Sequence, residues 1–96
     1  MGNSEEEKSL KFLMDTWGYD SQRLICIEEC AELIQALCHE SRGRENGKIE
    51  ELADAELAIR QMKLYLTPSQ LSKLEEIKKF KIERAVKKAI KFLEKK

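Results

Sequence analysis

Proline occurs once and glycine four times in this 96-residue chain. Those are too few turn residues for a fold built from many short strands, and no stretch keeps a period-2 alternation long enough to read as a strand. A β-sandwich or barrel is thereby excluded. No apolar run approaches the roughly 18–20 residues that span a bilayer, and the opening MGNSEEEK has neither a basic n-region nor an apolar h-region. The expectation is a cytoplasmic protein with no membrane contact. His39 is the single histidine and no Glu-x-x-His pattern exists, which disfavours a ferritin-like di-iron bundle. Cys26, Cys30 and Cys38 are odd in number and form no Cys-x-x-Cys pair, so neither a disulfide framework nor a structural zinc site is expected. They read as reduced, small core residues. With 18 basic and 18 acidic side chains the formal net charge is zero, and a chain without basic excess is a poor general binder of nucleic acid.

What is abundant is helix-forming. Apolar residues make up 42% and charged residues 38% of the chain, with Leu, Ile, Ala, Glu and Lys prominent. This describes one small all-α domain over residues 1–96, too short for a second independent core. The charge is unevenly spread: residues 1–67 carry 14 acids and 8 bases, residues 68–96 carry 4 acids and 10 bases. The cationic end suits either a solvated lysine face or contact with a small polyanion or an acidic neighbouring subunit.

Four helices are expected. Ser4 is placed to cap the first, with Glu5, Glu6 and Glu7 in its first turn, and it should stop near Trp17-Gly18. Asp20 or Ser21 can cap the second, where Leu24, Ile27, Ala31, Ile34 and Cys38 keep a 3-4-3-4 apolar spacing through about His39, itself placed to meet the helix dipole. After a loop from Ser41 to Gly47, a third helix runs from about Lys48 to Leu66. Thr67-Pro68-Ser69-Gln70 then supplies an N-cap, a proline at the first helical position and a glutamine at N3 for a fourth.

The carboxylates on the middle helices point the wrong way for solvent. At about 100° per residue, Glu29 and Glu32 lie roughly 60° apart and share a stripe with Gln22, Ile25 and Ala36. On the third helix Glu56, Arg60 and Lys63 mark the water side, while Glu51 and Asp54 lie about 180° away beside Ala55, Ala58, Met62 and Tyr65. Four acids therefore converge on the face where the two helices should pack. Uncompensated carboxylates in a partly buried space repel one another and lose hydration, which forces protonation unless a cation intervenes. A divalent metal answers this, and an all-oxygen donor set suits Mg²⁺, with Mn²⁺ as an alternative.

Glu28-Glu29-Cys30-Ala31-Glu32 followed by Glu51-Leu52-Ala53-Asp54 resembles the EExxE…ExxD signature of the MazG-like, all-α nucleoside triphosphate pyrophosphohydrolases. Trp17-Gly18, Gln22 and the phrase Glu50-Glu51-Leu52-Ala53-Asp54 resemble the order of features in the short bacterial and phage members, so the likeness covers roughly residues 12–66. The resemblance implies a four-helix bundle completed by dimerisation, as a homodimer or dimer of dimers. It implies Mg²⁺ held by Glu29, Glu32, Glu51 and Asp54, with Glu28 as a fifth acid set aside by about 100°. It implies attack of water at the α-phosphorus of a nucleoside triphosphate, giving the monophosphate and pyrophosphate in nucleotide-pool house-cleaning. Trp17 and Gln22 would contact the base by stacking and hydrogen bonding. Lys81 and Arg84, in a Lys-x-x-Arg pattern near the C-terminus, or Arg42 and Arg44 in the loop, would meet the phosphates. A different class of function fits the charge asymmetry: a non-catalytic helical interaction module, in which the same acids serve only as salt-bridge acceptors for the lysine-rich C-terminus.

Overall fold

In the computed structural model, which describes residues 4–95, every element is helical: α1 spans Ser4–Ser41, α2 Lys48–Lys63 and α3 Pro68–Glu94. The all-α expectation holds, and α1 is two helical arms divided at Gly18, where the first helix was expected to stop. Gly18 breaks α1 with φ 85° and ψ 167°, a non-helical conformation that residues with a Cβ avoid. The second helical arm begins immediately after Gly18, with Asp20 and Ser21 inside its first turn. Ser4 likewise stands inside the first turn and is not its cap. α2 ends sooner than the apolar pattern suggested, at Lys63, with Leu64 as the C-cap.

The contacts show what the break achieves. Glu40 pairs with Lys48, and Tyr19 meets Tyr65 edge-on at 5.0 Å between ring centroids. Along this pairing α1 numbers fall as α2 numbers rise, so the later arm of α1 (19–41) runs antiparallel to α2. Arg60 Nη1 bonds Glu6 Oε1 at 2.7 Å, Gln61 Nε2 donates to the carbonyl of Leu10 at 3.4 Å, and Tyr65 Oη donates to the carbonyl of Met14 at 3.3 Å. Here both sets of numbers rise together, so the earlier arm (4–17) runs parallel to α2. Gly18 thus folds α1 back on itself, and α2 packs against both arms.

Leu10, Ala36, Ala55 and Ala58 are the buried apolar side chains of this unit, joined by the buried amides of Gln22 and Gln61. Alanine at the centre lets helix backbones approach closely, but it buries little apolar area per residue. Leu24, Ile27 and Ile34 accordingly remain more than half exposed. Cys26 and Cys30 are half-buried and Cys38 is exposed, all three as free thiols; Cys38 is thus not a core residue, because the stripe it extends faces away from α2.

The described residues through Tyr65 form one compact unit and those from Leu66 onward a second. In the latter, Thr67 caps α3 as its sequence predicts. Its hydroxyl accepts from the Gln70 backbone N–H at 3.1 Å, and Gln70 Oε1 accepts from the Thr67 N–H at 3.0 Å. Phe80, Ile82, Val86, Ile90, Phe92 and Leu93 of α3 are exposed. Among the described residues no helix is long and apolar enough to cross a membrane.

Candidate functional site

The site is set by two helical repeats facing each other. On the later arm of α1, Gln22, Ile25, Glu29 and Glu32 recur at helical spacing; on α2 the matching stripe is Glu51, Asp54, Ala58 and Gln61. Ala55 and Ala58, 3% and 5% exposed, fix α2 with this face inward. Glu51 and Asp54 are carried inward with them.

Glu29, Glu51 and Asp54 each bring a carboxylate oxygen to within 4.8 Å of the others, and all three are half-buried. Glu29 Oε1 and Glu51 Oε1 are buried without a hydrogen-bond partner. Such orphaned oxygens cost free energy in a folded chain and call for an explanation beyond stability. Glu32 is exposed, but it lies close enough to Glu51 for the two carboxyls to share a proton. Glu28, also exposed, is near enough to add to the negative field at Glu29.

The electrostatics follow from this crowding. Loss of hydration first, then the charges of Glu32, Asp54 and Glu51, push the Glu29 carboxyl above the ordinary glutamate range. Glu51 is raised in the same way, by lost hydration and then by the charges of Glu32, Asp54 and Glu50. Burial and like-charged neighbours act in the same direction on both groups. An oxygen-only donor set of this kind fits a hard divalent cation, which would satisfy both orphaned oxygens and remove the repulsion together.

Beside the acids opens a pocket of about 170 Å³ lined by Ile25, Glu29, Asp54, Leu57, Ala58 and Gln61. It extends from the carboxylates toward the Gly18 break, since Ile25 lies one turn before Glu29 while Gln61 lies two turns beyond Asp54 on the antiparallel helix. Sequence reasoning did not single out Gln61. Its spacing of seven from Asp54 places it on the acid stripe and was a signal in plain view.

The remaining predicted residues have distinct settings. Gln22 is 4% exposed and belongs to the interior, whereas Trp17 is 61% exposed beside the break. Arg42 and Arg44 stand in the exposed turn between α1 and α2. Lys81 and Arg84 are on α3, where Lys81 borders an apolar patch containing Leu74 and Ile77 and the Arg84 guanidinium lies 5.7 Å from the Phe80 ring centroid. No protein-family model matches this chain, and neither a curated protein nor a solved structure matches it.

Proposed function

We propose that this protein is a Mg²⁺-dependent nucleoside triphosphate pyrophosphohydrolase. The observation that carries the reading is the convergence of Glu29, Glu51 and Asp54, with buried oxygens of Glu29 and Glu51 left without partners and Glu29 and Asp54 lining a pocket beside them. The EExxE…ExxD resemblance supports the same activity. Glu29, Glu51 and Asp54 would hold the cation, with Glu32 reaching it from the exposed rim; Mn²⁺ would fit the same oxygens. Bound there, the ion supplies charge neutralisation for the phosphates and for the pyrophosphate leaving group.

The chain's own residues do the rest. The apolar walls Ile25, Leu57 and Ala58 would hold the nucleoside end. A carboxylate oxygen of the cluster accepts a proton from the attacking water as its oxygen bonds to the α-phosphorus, and the bond from that phosphorus to the bridging oxygen of the β-phosphate breaks. Arg42 and Arg44, in the turn that joins the two acid-bearing helices, would supply cations for the phosphate tail. A second copy of the chain would cover the exposed Leu24, Ile27 and Ile34, making a homodimer or a dimer of dimers.

A panel of ribo- and deoxyribonucleoside triphosphates, incubated with and without Mg²⁺ and resolved by chromatography, tests the reading. Monophosphate and pyrophosphate are expected from at least one of them. Diphosphate with orthophosphate would place attack at the terminal phosphorus and overturn the mechanism; no turnover would leave the interaction module as the better account.

A further inference from the structure

We infer that α3 binds the surface of an anionic lipid bilayer, lying along it with an apolar stripe sunk among the headgroups and its lysines against the lipid phosphates. The helix belongs to the second unit and none of its side chains is buried. At about 1.5 Å per residue its 27 residues extend roughly 40 Å. At about 100° per residue Leu74, Ile82, Ala85, Val86, Ala89 and Leu93 fall on one stripe about 120° wide. Lys73, Arg84, Lys87 and Lys91 take the opposite side, with Lys79 on one flank and Lys81 and Lys88 on the other. Ile82, Val86 and Leu93 are 63%, 51% and 66% exposed. A lysine-rich helix with such a stripe is the form that lies in the plane of a bilayer interface. The lack of a helix long and apolar enough to cross a membrane is no obstacle to lying on one, so the expectation of no membrane contact narrows to one of no crossing.

Charge and spacing together choose the occupant. Residues 68–96 carry 10 bases against 4 acids, which complements anionic headgroups, and each cation near such a surface gains from its negative potential. A second copy of α3 fits poorly. Pairing two of them sets cationic segment against cationic segment, and the longest apolar heptad register, through Ile82, Ala85, Ala89 and Phe92, meets Glu75 and Lys78 in the preceding repeat. Nucleic acid would engage the lysines and leave the stripe in water. A lipid surface takes both, because phosphate and acyl chain lie within roughly 5–10 Å of depth. The lysines inside and beside the stripe agree with this. Lys78, paired with Glu75 at 3.6 Å, and Lys81 border an apolar patch containing Leu66, Leu74 and Ile77; a lysine stem can lie along such a patch while its ammonium reaches out to a phosphate. Phe80 departs from the pattern, standing on the cationic side with the Arg84 guanidinium 5.7 Å from its ring centroid.

The test is co-sedimentation of the full chain with vesicles of phosphatidylcholine alone and of phosphatidylcholine mixed with an equal part of phosphatidylglycerol. Partition onto the anionic vesicles should be stronger by roughly tenfold or more, and should weaken by a similar factor between about 0.1 M and about 1 M salt as screening shortens from about 10 Å to about 3 Å. Ile82→Asp/Val86→Asp keeps every cation of α3 and should lose partition by roughly tenfold or more, because charge is placed on the face that must enter the interface. Trp17→Phe/Leu93→Trp carries its single indole on the stripe, and its fluorescence should shift to the blue on anionic vesicles and be quenched by brominated acyl chains. Should Ile82→Asp/Val86→Asp lose its helical circular dichroism, the wild-type partition and the Leu93→Trp quenching decide. No partition onto either vesicle, or equal partition onto both, overturns the proposal. So does adsorption without quenching, which would leave charge alone at work. Duplex DNA bound in place of vesicles would assign the lysines to nucleic acid and overturn it, and a wild-type dimer that ignores vesicles and is dispersed by Ile82→Asp/Val86→Asp would overturn it in favour of a second copy.

Discussion

Replacing Gly18 by alanine should destabilise the protein through backbone geometry alone. With φ 85° and ψ 167°, this residue sits in a region that is essentially restricted to glycine. A Cβ added there meets nothing within 4 Å, so no side-chain clash contributes, and the cost is the dihedral strain of about 1–3 kcal/mol. Because the native conformation is incompatible with alanine, the reduced freedom of the unfolded chain does not offset it. For a domain of this size each kcal/mol shifts the midpoint by about 4–8 °C, so Gly18→Ala should melt roughly 4–24 °C below wild type in a calorimetric scan. Gly47 offers an internal control. Its φ of 66° and ψ of 28° are left-handed helical, a conformation asparagine tolerates, so Gly47→Asn should stay within about 1 kcal/mol of wild type. Gly18→Asn should not be rescued, since a ψ near 167° lies outside that basin. Amide exchange adds a local readout: if the break seats the earlier arm on α2, protection around Leu10 should fall with Gly18→Ala. A Gly18→Ala protein melting with wild type, its Leu10 protection intact, would refute the reversal at Gly18.

Glu32→Gln and Asp54→Asn should each abolish Mg²⁺-dependent turnover while keeping the helical circular dichroism, with apo midpoints equal to or above wild type because like-charge repulsion is relieved; wild-type rates in either would contradict the site assignment. Since folded Glu29 and Glu51 hold protons more tightly than the ordinary glutamate value of 4.5, their contribution to folding is present below that value and lost as pH rises through the raised ones. The metal-free midpoint should therefore decline toward neutral pH, and Glu29→Gln/Glu51→Gln should flatten that decline; an unchanged slope would show the cluster to be uncoupled from folding. Ile27→Asp and Ile34→Asp should weaken self-association in light scattering and lower activity with it, whereas an active monomer at micromolar concentration would contradict assembly through this face. Thr67→Ala removes the side-chain half of the α3 capping box and should loosen its first turn by about 1 kcal/mol, read as faster amide exchange at Gln70.

Helical periodicity carried the reading of the site because it reports which way a side chain points within a single helix. Glu51 and Asp54 were legible as inward-facing once Glu56 marked the opposite side, and Ala55 and Ala58 are buried where that wheel puts them. The box at Thr67 was legible for the same reason: its bonds are local. What resisted reading depends on contacts far apart in the chain. Trp17-Gly18 announced an ending, but only the sign of φ at Gly18 turns an ending into a reversal. That reversal in turn places Leu10 against Gln61. Arg60, assigned to the water side from α2 alone, makes there an exposed bond to Glu6 of the earlier arm that no single-helix reading could supply.

The same reversal accounts for the mismatch between apolar content and burial. With both inner faces of α1 turned to α2, the alanine-lined contact leaves no place for Leu24, Ile27 and Ile34 within residues 4–65, and these side chains lie exposed on the outer face of the later arm. Helical spacing already set Glu29 and Glu32 on the side that α2 takes, away from these apolar side chains. The carboxylates decide it: turning Ile27 and Ile34 toward α2 would carry Glu29 away from Glu51 and Asp54, dispersing the cluster. The side left uncovered is thus the consequence of gathering the acids, and a site built this way trades apolar burial within the chain for the placement of charge.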